Sequence, residues 1–248
     1  MTHQNITISM IISTILYLII VVFYLIYTSL VRYNFIILFI KIIPVSLLIV
    51  QCFIYIKLYD YHNYVVGILL SLFFFACGDL FLGLREYYHD MLFFSIGLLV
   101  CSIARIIITF TLLINPYRTI PFWIYKFRIW HIFCFAIILA TAPIYFIIVN
   151  AYVSEKINLR NINLWILLLY VMLCTISCCA SYMRYGLVNE SFVSVLLSMI
   201  GITIITISDT IIGINMFIRP ILFQNIIIMS LYWIGCLLLM WSIVRNWH

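Results

Sequence analysis

The chain has 248 residues, of which 67% are hydrophobic and 8% charged, with a mean hydropathy of +1.27 and a formal net charge of +6. A soluble domain has about half its residues apolar and about a quarter charged, and a soluble bundle of this length would need polar outer faces that these helices lack. The thirteen cations fall in ones and twos between apolar runs, so they form no basic stripe for nucleic acid, and the composition defines an all-α polytopic membrane protein.

Apolar runs between polar punctuation predict eight transmembrane helices in a single domain, 1–248, at about 6–31, 34–56, 64–84, 91–114, 129–150, 163–183, 191–214 and 222–244. The first run is too long for a signal-peptide core and has no small-residue cleavage site behind it, so it is expected to remain as a span. Arg85 and Glu86, Asn115 and Pro116, Glu155 and Lys156, and Arg219 and Pro220 are among the breaks. An even number of spans puts both termini on one face with Lys57, Arg118, Lys126, Arg128, Arg184 and Arg245. The other face takes Arg32, Arg85, Lys156, Arg160 and Arg219. The excess on the first face places the termini in the cytoplasm. Sequons at Asn5 and Asn189 lie close to spans on that face. Tyr117, Phe122, Trp123, Tyr125 and Trp130, around Pro116 and Pro121, read as an interfacial aromatic belt. The eight cysteines all fall in predicted spans, no CxxC pair exists and the five histidines are scattered. Neither a disulfide framework nor a metal site is expected.

Two of the seven acidic residues lie inside apolar runs, in matching settings: Gly78-Asp79-Leu80-Phe81-Leu82-Gly83 in span three and Ser208-Asp209-Thr210-Ile211-Ile212-Gly213 in span seven. A carboxylate at membrane depth is costly unless it faces a protein interior or a cavity, so it marks a functional site. The four-span offset suggests two four-helix halves in parallel. Both motif helices run in the same direction, and at 1.5 Å per residue the aspartates lie roughly 8 and 9 Å from the same face. Lys41, near the start of span two, is roughly 10 Å from that face. Three ionisable side chains therefore converge on one leaflet. Gly83 and Gly213, at i+4, let a neighbouring backbone or a substrate approach on the aspartates' own side. Thr206, Ser208, Asn215 and Tyr232 are candidate hydrogen-bond partners. Two carboxylates in one apolar site divide into an acid and a base, with Lys41 holding one of them ionised. The competing reading is a structural pair between Lys41 and one aspartate. Arg105, past the middle of span four, reads as a snorkelling or helix-packing cation, and His89 as a loop residue or an aid to proton transfer.

These residues carry a family likeness. Lys41-Ile42-Ile43-Pro44, Gly67 with Ser71 and Gly78-Asp79, and Gly97 resemble the lysoplasmalogenase (YhhN domain) family. Ser208-Asp209-Thr210, Ile214-Asn215, Phe217, Pro220, and Ile228-Met229-Ser230 with Tyr232 look like its animal transmembrane members. The resemblance covers about residues 34–245. It implies an eight-span hydrolase of the endoplasmic reticulum that cleaves the vinyl ether of lysoplasmalogens, a lysophospholipid substrate drawn from the bilayer. The products are a fatty aldehyde and glycerophospho-ethanolamine or choline. It implies no cofactor, with Asp79 and Asp209 as catalytic residues and Lys41, Asn215, Tyr232, Gly83 and Gly213 in support. Such hydrolysis needs an acid to protonate carbon and a carboxylate to stabilise the cation or activate water. The sequence departs from the family where Ile103 and Ile106 replace a histidine and a tyrosine, and where Cys236 replaces a glutamine or histidine. A non-catalytic lipid-binding or regulatory protein on the same scaffold and a proton-coupled transporter are the alternative readings.

Overall fold

A computed structural model describes residues 3–30, 35–59, 63–113, 161–184, 192–217 and 220–244, and every regular element among them is helical. In chain order the helices are α1 (His3–Leu30), α2 (Phe35–Tyr59), α3 (Asn63–Tyr88), α4 (Met91–Leu113), α5 (Asn161–Met183), α6 (Phe192–Phe217) and α7 (Gln224–Val244). All seven are long and apolar enough to cross a membrane. Helices suit that medium because each satisfies its own backbone hydrogen bonds where no water can. The described spans thus number seven rather than eight. The expected span at 129–150, the aromatic belt around Pro116 and Pro121, and the sequon at Asn189 lie outside the described residues.

Most helix ends fall within a few residues of the sequence expectation, but α3 runs one turn further, to Tyr88. Arg85 and Glu86 end the apolar run without ending the helix, since both are good helix formers. The helix stops at His89, whose backbone takes a left-handed φ of 55° and whose N–H donates to the Arg85 carbonyl at 2.8 Å. Asp90 then accepts from the Leu92 N–H at 2.9 Å and opens α4.

Two helix pairs pack most extensively, α3 with α4 and α6 with α7, and each carries one aspartate. Glycine permits both contacts. A Cβ added at Gly78 would stand 2.2 Å from the Cys101 Sγ and 3.3 Å from the Gly97 carbonyl oxygen. One added at Gly235 would stand 2.5 Å from Ile205 Cγ1 and 2.8 Å from the Gly201 carbonyl oxygen. In a bilayer, where burying apolar surface between helices gains little, such close backbone approach is a main source of association. Gly235→Ala is therefore expected to destabilise the protein by about 1–3 kcal/mol, the usual range for overpacking. Thermal melting in detergent reads this directly, and an unchanged midpoint would mean that the two helices separate without cost.

Polar ties at the end of the bundle remote from the aspartates hold these pairs together. The Arg184 guanidinium lies over the Tyr64 ring at 3.9 Å and donates to its hydroxyl. That hydroxyl also bonds the Ser242 Oγ at 2.8 Å, and Ser194 donates to the Ser242 carbonyl at 2.6 Å. Helix α1 sits at the periphery, tied by the Tyr17 hydroxyl donating to the Trp233 carbonyl at 2.8 Å and by an edge contact of Tyr24 on the Trp233 ring. Among the described helices, α6 packs on α5 and α7 but makes no close backbone approach to α3 or α4. The gap between these groups is where the site lies.

Candidate intramembrane site

Asp79 belongs to a stripe on α3 in which Ser71, Phe75, Asp79 and Gly83 recur every four residues, and all four are buried. Asp79 is 6% exposed. Its Oδ2 has no hydrogen-bond partner among the described residues, and the same holds for the buried Tyr232 hydroxyl, although the two groups are close enough to interact. The Tyr232 ring stands edge-on to Phe75, so Asp79 emerges between aromatic walls.

Asp209 has the opposite surroundings. Its Oδ2 accepts from Arg105 Nη2 at 2.5 Å and from the Tyr170 hydroxyl at 2.6 Å, with the Cys174 thiol at 3.7 Å. Arg105 is wholly buried. It also donates through Nη1 to Ser177 Oγ at 3.1 Å and Thr206 Oγ1 at 3.2 Å, and its guanidinium lies 5.5 Å from the centre of the Phe75 ring. An ion pair with further hydrogen bonds on the cation is the form in which charge persists at low dielectric.

Arg105 is thus not snorkelling but joins α4 to α5 and α6, and its pairing with Asp209 follows from side-chain direction. Every Cα–Cβ bond leans toward its helix N-terminus. On α4 that direction carries the long arginine toward the aspartates' leaflet, and on α6 it carries Asp209 back toward the arginine. Comparing Cα depths alone overstates their separation. The α5 partners Tyr170, Cys174 and Ser177 also escaped the sequence reading. Their i, i+4, i+7 spacing marks one helix face, but nothing in the sequence says which helix that face meets.

Asp79 and Asp209 line one cavity of about 350 Å³, otherwise walled largely by apolar side chains such as Phe75, Phe94 and Leu98, with Tyr170 and Tyr232. A second cavity of about 240 Å³ adjoins it and holds Lys41, Asp79 and Asn215. The two share Asp79, Leu82, Phe94, Ile212, Ile228 and Met229 as walls, so Asp79 stands at their junction. Asp79 thus shares one cavity with Asp209 and the other with Lys41, while Lys41 and Asp209 share neither.

The supporting residues divide. Tyr232 and Gly213 line the larger cavity, whereas Gly83 is buried on the Asp79 stripe and lines neither. Asn215 Oδ1 accepts from the Ile221 N–H at 2.9 Å, tying α6 to the residues that precede α7. Ser208 donates to the Ile228 carbonyl at 2.9 Å, so it ties α6 to α7 and does not serve an aspartate. Thr206 meets Arg105. His89 is exposed in its turn and lines neither cavity. Ile103 and Ile106 are 42% and 39% exposed and line neither cavity, and Cys236 is buried one turn from Tyr232 and lines neither. Among the described residues, no three His, Cys, Asp or Glu side chains converge as a metal site would require.

A bundle of apolar helices enclosing two carboxylates around a lipid-depth cavity is an integral, multi-pass membrane protein with an intramembrane polar site. The chain belongs to the YhhN family, whose model matches residues 36–243. Comparison with curated proteins and with solved structures gave no match.

Proposed function

We propose that this protein is a lysoplasmalogenase-like hydrolase that cleaves the vinyl ether of a lysophospholipid within the bilayer, the activity that the family resemblance implies. One observation carries the reading: two aspartates face one apolar cavity in opposite hydrogen-bonding states. Asp79 has an oxygen with no partner and apolar walls, which suits a protonated acid. Asp209, held by Arg105 and Tyr170, suits the partner carboxylate. All its donors converge on Oδ2, so Oδ1 makes none of these contacts and serves as the base.

Vinyl ether hydrolysis follows from this division. Asp79 delivers its proton to the alkenyl carbon remote from oxygen, the double bond's electrons form the new C–H bond, and an oxocarbenium ion results. Water adds to the carbon beside oxygen and gives a proton to Asp209 Oδ1. The hemiacetal then collapses: Asp209 returns that proton to the departing glycerol oxygen, while the hemiacetal hydroxyl gives its own proton to the Asp79 carboxylate. Aldehyde and alcohol leave, and both acids regain their starting states. The endoplasmic reticulum location and cytoplasmic termini belong to the same reading.

Membranes containing the protein are expected to release fatty aldehyde from 1-alkenyl-glycerophosphoethanolamine and none from its saturated 1-alkyl counterpart, since protonation requires the double bond. The aldehyde is measured by coupled oxidation or mass spectrometry. Folded protein that releases none from ethanolamine or choline forms across a wide pH range would overturn the enzyme reading in favour of a lipid-binding protein.

A further inference from the structure

The smaller cavity differs from the larger in chemistry. Lys41 enters from α2, Arg85 and Glu86 from the last turn of α3, Asn215 from α6, and Gln224 and Asn225 from the first turn of α7. Two cations, the Glu86 carboxylate, the shared Asp79 carboxyl and three amides thus surround about 240 Å³ at one end of the bundle. The Arg85 guanidinium lies 5.8 Å from the centre of the Phe94 ring, on a wall that both cavities share. Phe94 thus both borders the apolar space and positions a charge beside it.

We propose that this chamber binds the zwitterionic phospho-ammonium headgroup of a single-chain lipid, with Lys41 and Arg85 on the phosphate and Glu86 on the ammonium. The inference rests on the larger cavity being the seat of the lipid chain. A phosphodiester carries one negative charge and accepting oxygens, which cationic and amide donors match, and arginine matches them in geometry as well. An ammonium carries only donors and calls for a carboxylate. The six residues from Asp79 to Arg85 rise about 9 Å along α3, which leaves the glycerol carbons between the phosphate and the reacting ether. The shared apolar walls select an amphiphile over a free solute, because the polar chamber borders a space that only a hydrocarbon chain would fill. A sequence reading takes Arg85-Glu86 as loop punctuation; the extra turn of α3 makes them walls of the site.

The test measures binding, so it holds whether or not hydrolysis occurs. Full-length protein in a non-ionic detergent is titrated, with native mass spectrometry as the readout, with three probes: saturated 1-alkyl-glycerophosphoethanolamine, 1-alkyl-glycerophosphate, and free glycerophosphoethanolamine. Wild type is expected to prefer the first. Glu86→Gln should lose about ten- to a hundred-fold in affinity for it, the range of one hydrogen bond to a charged group, and nothing for the phosphate lipid. Arg85→Gln should weaken both lipids. Equal affinity of the wild type for both lipids, or equal losses for both in Glu86→Gln, would overturn the assignment of the ammonium. Tighter binding of the free headgroup than of the lipid would make this a solute site. Wild-type discrimination between headgroups needs no variant to fold, and aldehyde release measured separately shows whether a failure belongs to this chamber or to the hydrolase reading.

Discussion

Asp79→Asn is expected to abolish aldehyde release, by about 10²–10⁴-fold, the usual contribution of a positioned general acid, while the protein stays folded. Asparagine fills nearly the same space and can still hydrogen-bond, but it has no proton that it can give to carbon. The cost to folding should be small because the buried Oδ2 makes no hydrogen bond that the substitution would break. The measurement is aldehyde release at matched expression together with a melting curve, and a variant within about tenfold of wild type would remove Asp79 from the role of acid. Asp79→Glu moves the proton by one methylene in a cavity shaped by Phe75, Phe94 and Tyr232, so it should retain the acid and lose its alignment. Activity in Asp79→Glu between that of wild type and Asp79→Asn is the signature of proton donation rather than of packing.

The aspartates were legible in the sequence because an ionisable group inside an apolar run has few explanations, and the repeated glycine at i+4 marked the face on which each lies. Seven of the eight expected spans, and most of their ends, were legible for a related reason, since bilayer thickness fixes the length of a span. Other features depended on which helices are neighbours. Arg105 stands on α4 and its partners Ser177, Thr206 and Asp209 on α5 and α6, and no local pattern pairs those helices. The reading of Arg105 as a snorkelling cation also measured depth at Cα, where a long side chain leaning toward its helix N-terminus displaces charge by about a turn. Ser208 looked like a partner for its neighbour Asp209, yet adjacent residues on a helix point in different directions, and its hydroxyl turns to the Ile228 carbonyl. The polar chamber stayed hidden because polarity at the end of an apolar run reads as a break, while the helix of Arg85 and Glu86 continues to Tyr88.

The ion pair of Arg105 and Asp209 supplies the second large effect, and it separates structure from chemistry at one residue. Arg105→Met keeps the length and apolar bulk of the side chain but leaves the Asp209 carboxylate, among the described residues, with only the tyrosine and a long thiol contact. Breaking a buried pair by removing one partner costs about 3–5 kcal/mol, since the survivor is an uncompensated charge. Asp209→Asn strands the arginine in the same way, although Ser177 and Thr206 still accept from it, so its cost should be smaller. The double variant removes both charges and is expected to recover most of the lost stability, because replacing a buried pair by neutral groups is often close to neutral overall. Denaturant or thermal unfolding in detergent completes the cycle, and additive losses in the double variant would show that the two residues act independently. Aldehyde release then answers a different question. If Asp209 serves only to anchor Arg105, activity should return with stability in the double variant. If its carboxylate takes the proton from water, the refolded double variant stays silent.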